Sequence, residues 1–313
     1  MPIYGTYLFS KIYGVLAEIQ VACRPPLRNP SGLMRVLVRV PASTTNFGPG
    51  FDCFGAALNL ANQIEVSKSE PTEPRPALFD AAGSSFFRSS SVKPFSFTAR
   101  VSGEVPVARG LGSSVTLRLG LVLGLNRLAE EPLNREQILA LVTELEGHPD
   151  NATAALAGGF TIVADSGTRY LRFPVADRLR FVLFVPDVEV RTDAARQVLP
   201  KTYPRGDVVA NLGRVGIIAA AMATQQYELL GDILGDHLHQ PYRLPLVPFL
   251  MDVIKAGRAA GALGGFLSGS GSTIICLTER DADGVASAMS AAAKPATGKT
   301  FVLAADNQGA TII

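Results

Sequence analysis

The segment Arg109-Gly110-Leu111-Gly112-Ser113-Ser114 constrains the fold more than any other. It stands between a strand-like stretch, Phe95 to Val105, broken by Pro106, and the run RGLGSSVTLRLGLVLGLNRLAEE, whose leucines recur at helical spacing. Strand, glycine loop, helix leaves unpaired backbone N–H groups and the positive end of a helix dipole at the loop, a place that favours an anion. The glycines let the main chain approach a phosphate closely, and the serines add hydroxyl donors or a metal ligand. Alone, such a loop is equally consistent with a tight turn.

Other phosphate and metal motifs fail. Gly298-Lys299-Thr300 has Ala293 where a G-x-x-x-x-G-K-[ST] loop needs glycine, and the glycines of GPGFDCFG are misplaced for G-x-G-x-x-G. His148, His237 and His239 make no H-E-x-x-H, and no Cys/His cluster has zinc spacing.

With 313 residues the chain is long enough for two domains meeting at a cleft. Hydrophobic residues at 47% and charged residues at 18% supply material for buried sheets and argue against disorder. The 29 basic residues against 27 acidic ones are scattered, which points to neither nucleic acid nor an anionic membrane as partner. Cys23, Cys53 and Cys276 are odd in number and dispersed, as expected in a reducing cytoplasm. Residues 1–33 read as an extension of unknown role outside the fold. Glu18 interrupts the apolar stretch Ile12 to Cys23 and no basic cluster precedes it, so neither a signal peptide nor a membrane span is expected.

Along the chain, MRVLVRVPA alternates as a strand that stops at Pro41, followed by a polar glycine-rich loop and a second strand around Ile64-Glu65-Val66. Residues 69–96 show no clear period and read as a surface insertion. The helix NREQILALVTELEG ends near Gly147, and a strand follows at Phe160 to Ala164. A strand from Phe181 to Val185 opens the second half. Helices are expected over Gly206 to Leu230 and Leu246 to Ala260, and a Gly/Ser loop, GGFLSGSGS, runs into the strand TIICLTE.

VPVARGLGSSVT, Val105 to Thr116, resembles the phosphate loop of the GHMP kinases, the family of galactokinase, homoserine kinase, mevalonate kinase and phosphomevalonate kinase. VRVPASTTNFGPGFDCFGAALNL (Val38 to Leu60) and EGHPDNATAALAGGF (Glu146 to Phe160) are similar to motifs of the homoserine kinases. RTDAARQVLP (from Arg191), QPYR (from Gln240), GGFLSGSGST (from Gly264) and DNQGA (from Asp306) follow in the family's order. The chain departs from the family pattern at Val115, Thr116, Arg118, Ser270 and Ser272.

The resemblance implies an α+β, two-domain GHMP kinase fold: an ATP-binding domain over 34–175 with the glycine-rich phosphate loop, and a ferredoxin-like C-terminal domain over 176–313. It implies ATP-dependent phosphorylation of L-homoserine to O-phospho-L-homoserine, a step of threonine biosynthesis, by a Mg²⁺-using cytoplasmic homodimer. The loop residues Pro106, Val107, Ala108, Arg109, Gly110, Leu111, Gly112, Ser113, Ser114, Val115 and Thr116 would hold the phosphates, with Asn62 near the adenine. Ser114 and Glu146 would be the Mg²⁺ ligands. Asn46 and Asp52 would lie near the substrate amino group, and His148 and Asn151 at the reacting end. Thr192, Arg196 and Arg243 would complete the pocket. Asn151 stands where some relatives carry a catalytic Asp, so transfer would proceed by positioning and charge neutralisation, with Asn151, Ser114 and Glu146 as the catalytic group. Taken singly, these residues have plainer readings: a solvated helix-end charge for Glu146, an Asx turn for Asn46, a helix-end charge for Asp52, a core imidazole for His148. Another GHMP kinase, or a non-catalytic binding protein on the same fold, are the alternative readings.

Overall fold

The structure, a computed structural model, describes residues 27–28, 34–71, 74–167 and 169–313. Most of the N-terminal extension therefore lies outside the described residues.

The alternating residues Val36, Val38 and Val40 of β2 (Met34–Asn46) and Ile64 and Val66 of β3 (Gly50–Ser67) put one face of an antiparallel pair into a core. Around this pair grows a seven-stranded sheet in the order β1 (Leu27–Arg28), β2, β3, β5 (Phe160–Ala164), β6 (Arg169–Phe173). The short β4 (Thr98–Gly103) also pairs with β3, and the C-terminal β11 (Thr311–Ile312) pairs with β2. Leu27–Arg28, expected outside the fold, thus belong to this sheet. Pro41 does not end β2. The strand continues to Asn46 through a register shift: Pro41 still pairs with Ala61, Ala42 pairs with Leu58, and the two extra residues, Asn59 and Leu60, lie on β3.

Four helices cover the apolar face: α1 (Ala77–Ser90), α2 (Ser113–Leu128), α3 (Arg135–Glu146) and α4 (Asp150–Ala157). The reading of 69–96 as an unstructured surface insertion is corrected by α1, which buries Phe79, Ala82 and Phe86 at helical spacing in the same core. α3 starts on a full capping box between Asn134 and Gln137 and ends at Gly147, whose φ of 81° is the left-handed conformation glycine adopts freely.

The second sheet holds β7 (Arg180–Pro186), β8 (Gly264–Leu267), β9 (Ile274–Thr278) and β10 (Gly298–Leu303) in the order β10-β7-β9-β8, all antiparallel. This fourth, first, third, second order is the ferredoxin-like arrangement. GGFL, expected in a loop, is strand β8. Five helices accompany the sheet: α5 (Thr192–Gln197), α6 (Arg205–Thr224), α7 (Gln240–Arg243), α8 (Leu250–Ala259) and α9 (Ala282–Ala292). β7 is buried on both faces. Val182 and Phe184 pack with α8 and α9, while Phe181 and Leu183 face a core shared with the first sheet. At the centre of that shared core, the Phe47 ring stacks on Phe266 at 4.7 Å and meets Phe160 and Phe181 edge-on.

Candidate active site

Between the two sheets lies a cavity of about 580 Å³. Its floor is the turn joining β2 to β3, one wall is the glycine loop with the start of α2, and the opposite wall is the segment Val190 to Arg196 with Arg243 and Gly269.

The glycine loop is anchored from behind. Ser43 N donates to Leu111 O at 3.1 Å, Thr273 N donates to Arg109 O at 3.2 Å, and buried Ser268 donates from Oγ to Gly110 O at 2.6 Å. Thr44 Oγ1 in turn lies 2.8 Å from Ser268 Oγ. Gly110 has φ +72°, and a Cβ there would collide with the backbone oxygen of Ser268, so only glycine fits. α2 begins at Gly112 with no side-chain cap, in contrast to α3. Its first-turn N–H groups are left for a ligand, and the helix dipole favours an anionic one.

Asn62 and Thr116 lie behind this loop, not in the cavity. Asn62 Nδ2 donates to Thr116 Oγ1 at 2.9 Å, its Oδ1 accepts from Val105 N at 3.2 Å, and Thr116 Oγ1 donates to Ser113 O at 2.7 Å. Both are buried, and they strap the two ends of the loop together. Pro106 is also absent from the cavity wall, whereas Val107 to Val115 line it.

Ser114 Oγ donates to Glu146 Oε2 at 2.9 Å, and Arg118 Nη1 meets Glu146 Oε1 at 2.5 Å. A hydroxyl and a carboxylate on one wall form the hard-oxygen donor set that suits Mg²⁺, so these residues fit the metal the family implies. Arg118, a departure from the family pattern, shares that carboxylate, and its Nε is buried without a hydrogen-bond partner among the described residues.

At the far end, the helix α4 starts with Asp150, whose Oδ1 accepts from Asn151 N at 2.8 Å and lies 3.1 Å from His148 Nδ1. That hydrogen bond is the main cause that raises the His148 pKa above its ordinary value, with burial opposing it. Asn151 Oδ1 accepts from Ser43 Oγ at 2.8 Å, which fixes the amide and turns its NH₂ away from Ser43.

Asn46, Phe47 and Asp52 all have positive φ, at 75°, 47° and 55°, so the floor of the cavity is a strained turn. Asn46 holds it: Oδ1 accepts from Asp52 N at 3.0 Å and Nδ2 donates to Gly269 O at 2.9 Å. Asp52 and Arg196 form a two-pronged pair, Nη1 to Oδ2 and Nη2 to Oδ1, both 3.0 Å. Arg243 is almost fully buried, and burial is the leading cause that lowers its pKa to about 10. Thr192 lies at the mouth, 3.5 Å from Ser270 through their hydroxyl oxygens. Thus Asn46, Asp52, Ser114, Glu146, His148, Asn151, Thr192, Arg196 and Arg243 line one cavity. Sequence reasoning missed Ser43 and Ser268. Both stood inside motifs already singled out, but no spacing rule reports contacts over more than a hundred residues.

Family models for the GHMP kinase N-terminal domain and C-terminal segment match residues 77–159 and 218–295. The homoserine kinase of Caldicellulosiruptor bescii is 38% identical over 88% of this chain and 96% of its own length. The chain belongs to the homoserine kinases of the GHMP kinase family. The homoserine kinase of Moorella thermoacetica is likewise 38% identical, over 88% of this chain and 99% of that protein. Among solved structures, homoserine kinase from Cytophaga hutchinsonii superimposes with a TM-score of 0.81 at 27% identity, covering 89% of this chain and 97% of that one. A mevalonate kinase at 13% identity and a TM-score of 0.65 shares the fold alone. The N-terminal family model begins at Ala77, so α1 has a counterpart in the GHMP kinases.

Proposed function

We propose that this member of the homoserine kinases transfers the γ-phosphoryl group of ATP to the side-chain hydroxyl of L-homoserine, within the cavity described above. The observation that carries the reading is the meeting, in one 580 Å³ space, of an uncapped helix start on a glycine loop with the charged set Asp52, Arg196 and Arg243. The first suits a polyphosphate. The second suits a zwitterion: a carboxylate for its ammonium and guanidinium groups for its carboxylate.

In this reading the N–H groups of Ser113 to Val115 and the loop glycines hold the phosphates, and the Ser268 and Thr273 contacts keep the loop from yielding. Ser114 and Glu146 would hold Mg²⁺, which supplies neutralisation of phosphate charge when bound. Asn151, fixed by Ser43 and by a 3.4 Å contact from its Nδ2 to Asp150 Oδ1, offers the other hydrogen of its NH₂ to the substrate hydroxyl and aims it. Asp150 spends Oδ1 on His148 and the backbone of Asn151, which makes it an orienting group. Through a loose transition state, positioning and electrostatics suffice without a dedicated base.

We further propose a cytoplasmic homodimer. α6 exposes Val209, Leu212 and Ile217 on the side away from its buried Ile218, Ala221 and Met222, and open space surrounds Gly206, Gly213 and Gly216. A helix of this length and apolarity meets the size criterion for a membrane span, but its buried side is packed on the second sheet and it carries Asp207 and Arg214. A second copy covering the exposed side would remove the patch from water. Sedimentation of Leu212→Glu beside the unaltered protein tests this; equal masses for both would count against the assignment. For the activity, ATP consumption is measured with homoserine, mevalonate, galactose and no acceptor. Homoserine alone should drive turnover, and a rate independent of acceptor would refute the reading.

A further inference from the structure

Behind the proposed carboxylate site lies a buried polar network that the reaction as described does not use. Asp236 organises it: Oδ2 accepts from His239 N and Gln240 N, both at 2.7 Å, and Oδ1 accepts from Leu238 N at 2.8 Å and Asn211 Nδ2 at 2.9 Å. These bonds fix the start of α7, which carries Arg243. His239 is fully buried. Its Nε2 lies 2.7 Å from Gly48 O, and its Nδ1 lies 3.1 Å from Arg243 Nη1.

The two contacts settle the tautomer. A guanidinium only donates, so Nδ1 must present its lone pair to Nη1. A carbonyl oxygen only accepts, so Nε2 must carry the proton that meets Gly48 O. His239 is therefore a neutral Nε2–H imidazole. Burial, the largest influence, favours the same form; the Asp236 carboxylate 3.5 Å from Nε2 pulls the other way, and the positive charge of Arg243 opposes protonation, so that the net shift is downward.

Arg243 is held on three sides. Nε donates to Ala195 O at 3.1 Å, Nη1 donates to Gly269 O at 2.8 Å, and His239 Nδ1 takes the other Nη1 hydrogen. Nη2 has no hydrogen-bond partner among the described residues and is not sealed away from the cavity that Arg243 lines. The Phe51 ring closes the arrangement: it stacks on His239 at 5.2 Å and 25°, with the Arg243 and Arg196 guanidinium carbons 5.3 and 5.6 Å from its centroid. Loss of the Nδ1 acceptor would leave a buried Nη1 hydrogen unpaired and the guanidinium held by Ala195 O and Gly269 O alone, two of its three anchors.

We propose that His239 is a positioning residue for substrate recognition: by accepting from Nη1 it presents the Nη2 edge of Arg243 to the carboxylate of the amino-acid substrate. This rests on the reading that Arg243 binds that carboxylate. The planar guanidinium reads a carboxylate through the direction its edge faces, and His239 is the side-chain acceptor among the three groups that set it, so its loss should weaken discrimination between an acid and a neutral analogue more than phosphoryl transfer itself.

The test uses two variants that split the imidazole's two bonds. His239→Asn places its amide oxygen where Nδ1 stands and keeps the acceptor. His239→Gln places its amide nitrogen where Nε2 stands and keeps the bond to Gly48 O while losing the acceptor. At saturating ATP, His239→Gln should raise KM for homoserine by about tenfold or more, with kcat and KM for ATP within about twofold of the unaltered enzyme. His239→Asn should stay within about threefold on every constant. The preference for homoserine over its neutral carboxamide should collapse in His239→Gln and in Arg243→Ala alike. A fall in kcat with unchanged homoserine KM in His239→Gln overturns the proposal, as does an equal defect in both His239 variants. If Arg243→Ala keeps the full preference, the carboxylate reading itself fails; if it loses the preference while His239→Gln keeps it, only the role of His239 fails. Nitrogen-15 NMR of the unaltered full-length protein adds a readout independent of variant folding: Nδ1 of His239 should be unprotonated, and a protonated Nδ1 would rule the arrangement out.

Discussion

The pairing of Asp52 with Arg196 in the free protein predicts a specific non-additivity. Both are assigned to the substrate, Asp52 to its ammonium and Arg196 to its carboxylate, yet they hold each other through two 3.0 Å bonds. If binding exchanges this one internal pair for two pairs with homoserine, the enzyme must first break the internal one. With side chains 34% and 39% exposed, that pair is worth about 0.5 to 1 kcal/mol. Each contact to the substrate, more thoroughly desolvated, is worth on the order of 2 to 5 kcal/mol. Either single variant, Arg196→Ala or Asp52→Asn, then loses its own substrate contact but is spared the breaking of the pair. The double variant loses both contacts and is spared that step only once. Its loss in kcat/KM should therefore exceed the product of the single losses by about two- to fivefold. Initial rates at subsaturating homoserine and saturating ATP for the four proteins measure it. If the pair instead persists in the complex, with Asp52 only steering Arg196, the two residues act as a unit and the double variant falls short of the product. That sign would refute the exchange, and it requires no knowledge of absolute magnitudes.

Glu146→Gln and Ser114→Ala should each cut turnover more than about tenfold at limiting Mg²⁺. Because Glu146 also pairs with mostly buried Arg118, the Gln variant should lose about 1 to 3 kcal/mol of stability as well, read from denaturant midpoints; full activity in both would remove them from the metal site. Asp150→Asn should lower kcat without abolishing it, since Asn151 aims the hydroxyl, and a dead enzyme that still binds ATP and homoserine would establish Asp150 as a base. His239 is depressed to about 4 from an ordinary 6.5, burial being the largest cause. Between those values the unfolded chain binds a proton that the folded one refuses, so stability should be full above about pH 6.5 and fall as pH drops toward 4. Denaturant midpoints across that range should fall less steeply in His239→Asn, and parallel curves would exclude His239 as the titrating group.

Local rules carried as far as local forces reach. Phe160 to Ala164 is a strand with the expected bounds, and the Asn134 and Gln137 capping box starts α3 where NREQ suggested. α1 escaped because its apolar residues Leu78, Phe79, Ala82 and Phe86 are diluted by Gly83 and four serines, and tertiary burial, not intrinsic propensity, makes it a helix. The passage of β2 through Pro41 was hidden because a bulge is paid for by the partner strand, not by proline's own neighbours. At the site, the charged residues were legible through resemblance, but their internal pairing was not. Asp52 and Arg196 are 144 positions apart, His239 and Gly48 191, and Ser268 and Gly110 158.

After β10 the chain does not end in the second sheet. It crosses back, with Asn59 N donating to Ala304 O and Asp306 N to Ala57 O, and finishes as β11 against β2. The two halves are thus joined by two strands of backbone, one after Phe173 and one after Leu303, with the aromatic cluster around Phe47 packed between them. A protein hinged on one linker can open, twist and slide. Two separate crossings, the shared aromatic core and the hydrogen bonds from Ser268 and Thr273 to the glycine loop fasten the halves at several points, so the wall bearing the glycine loop and the wall bearing Arg196 are held with the same edges opposed.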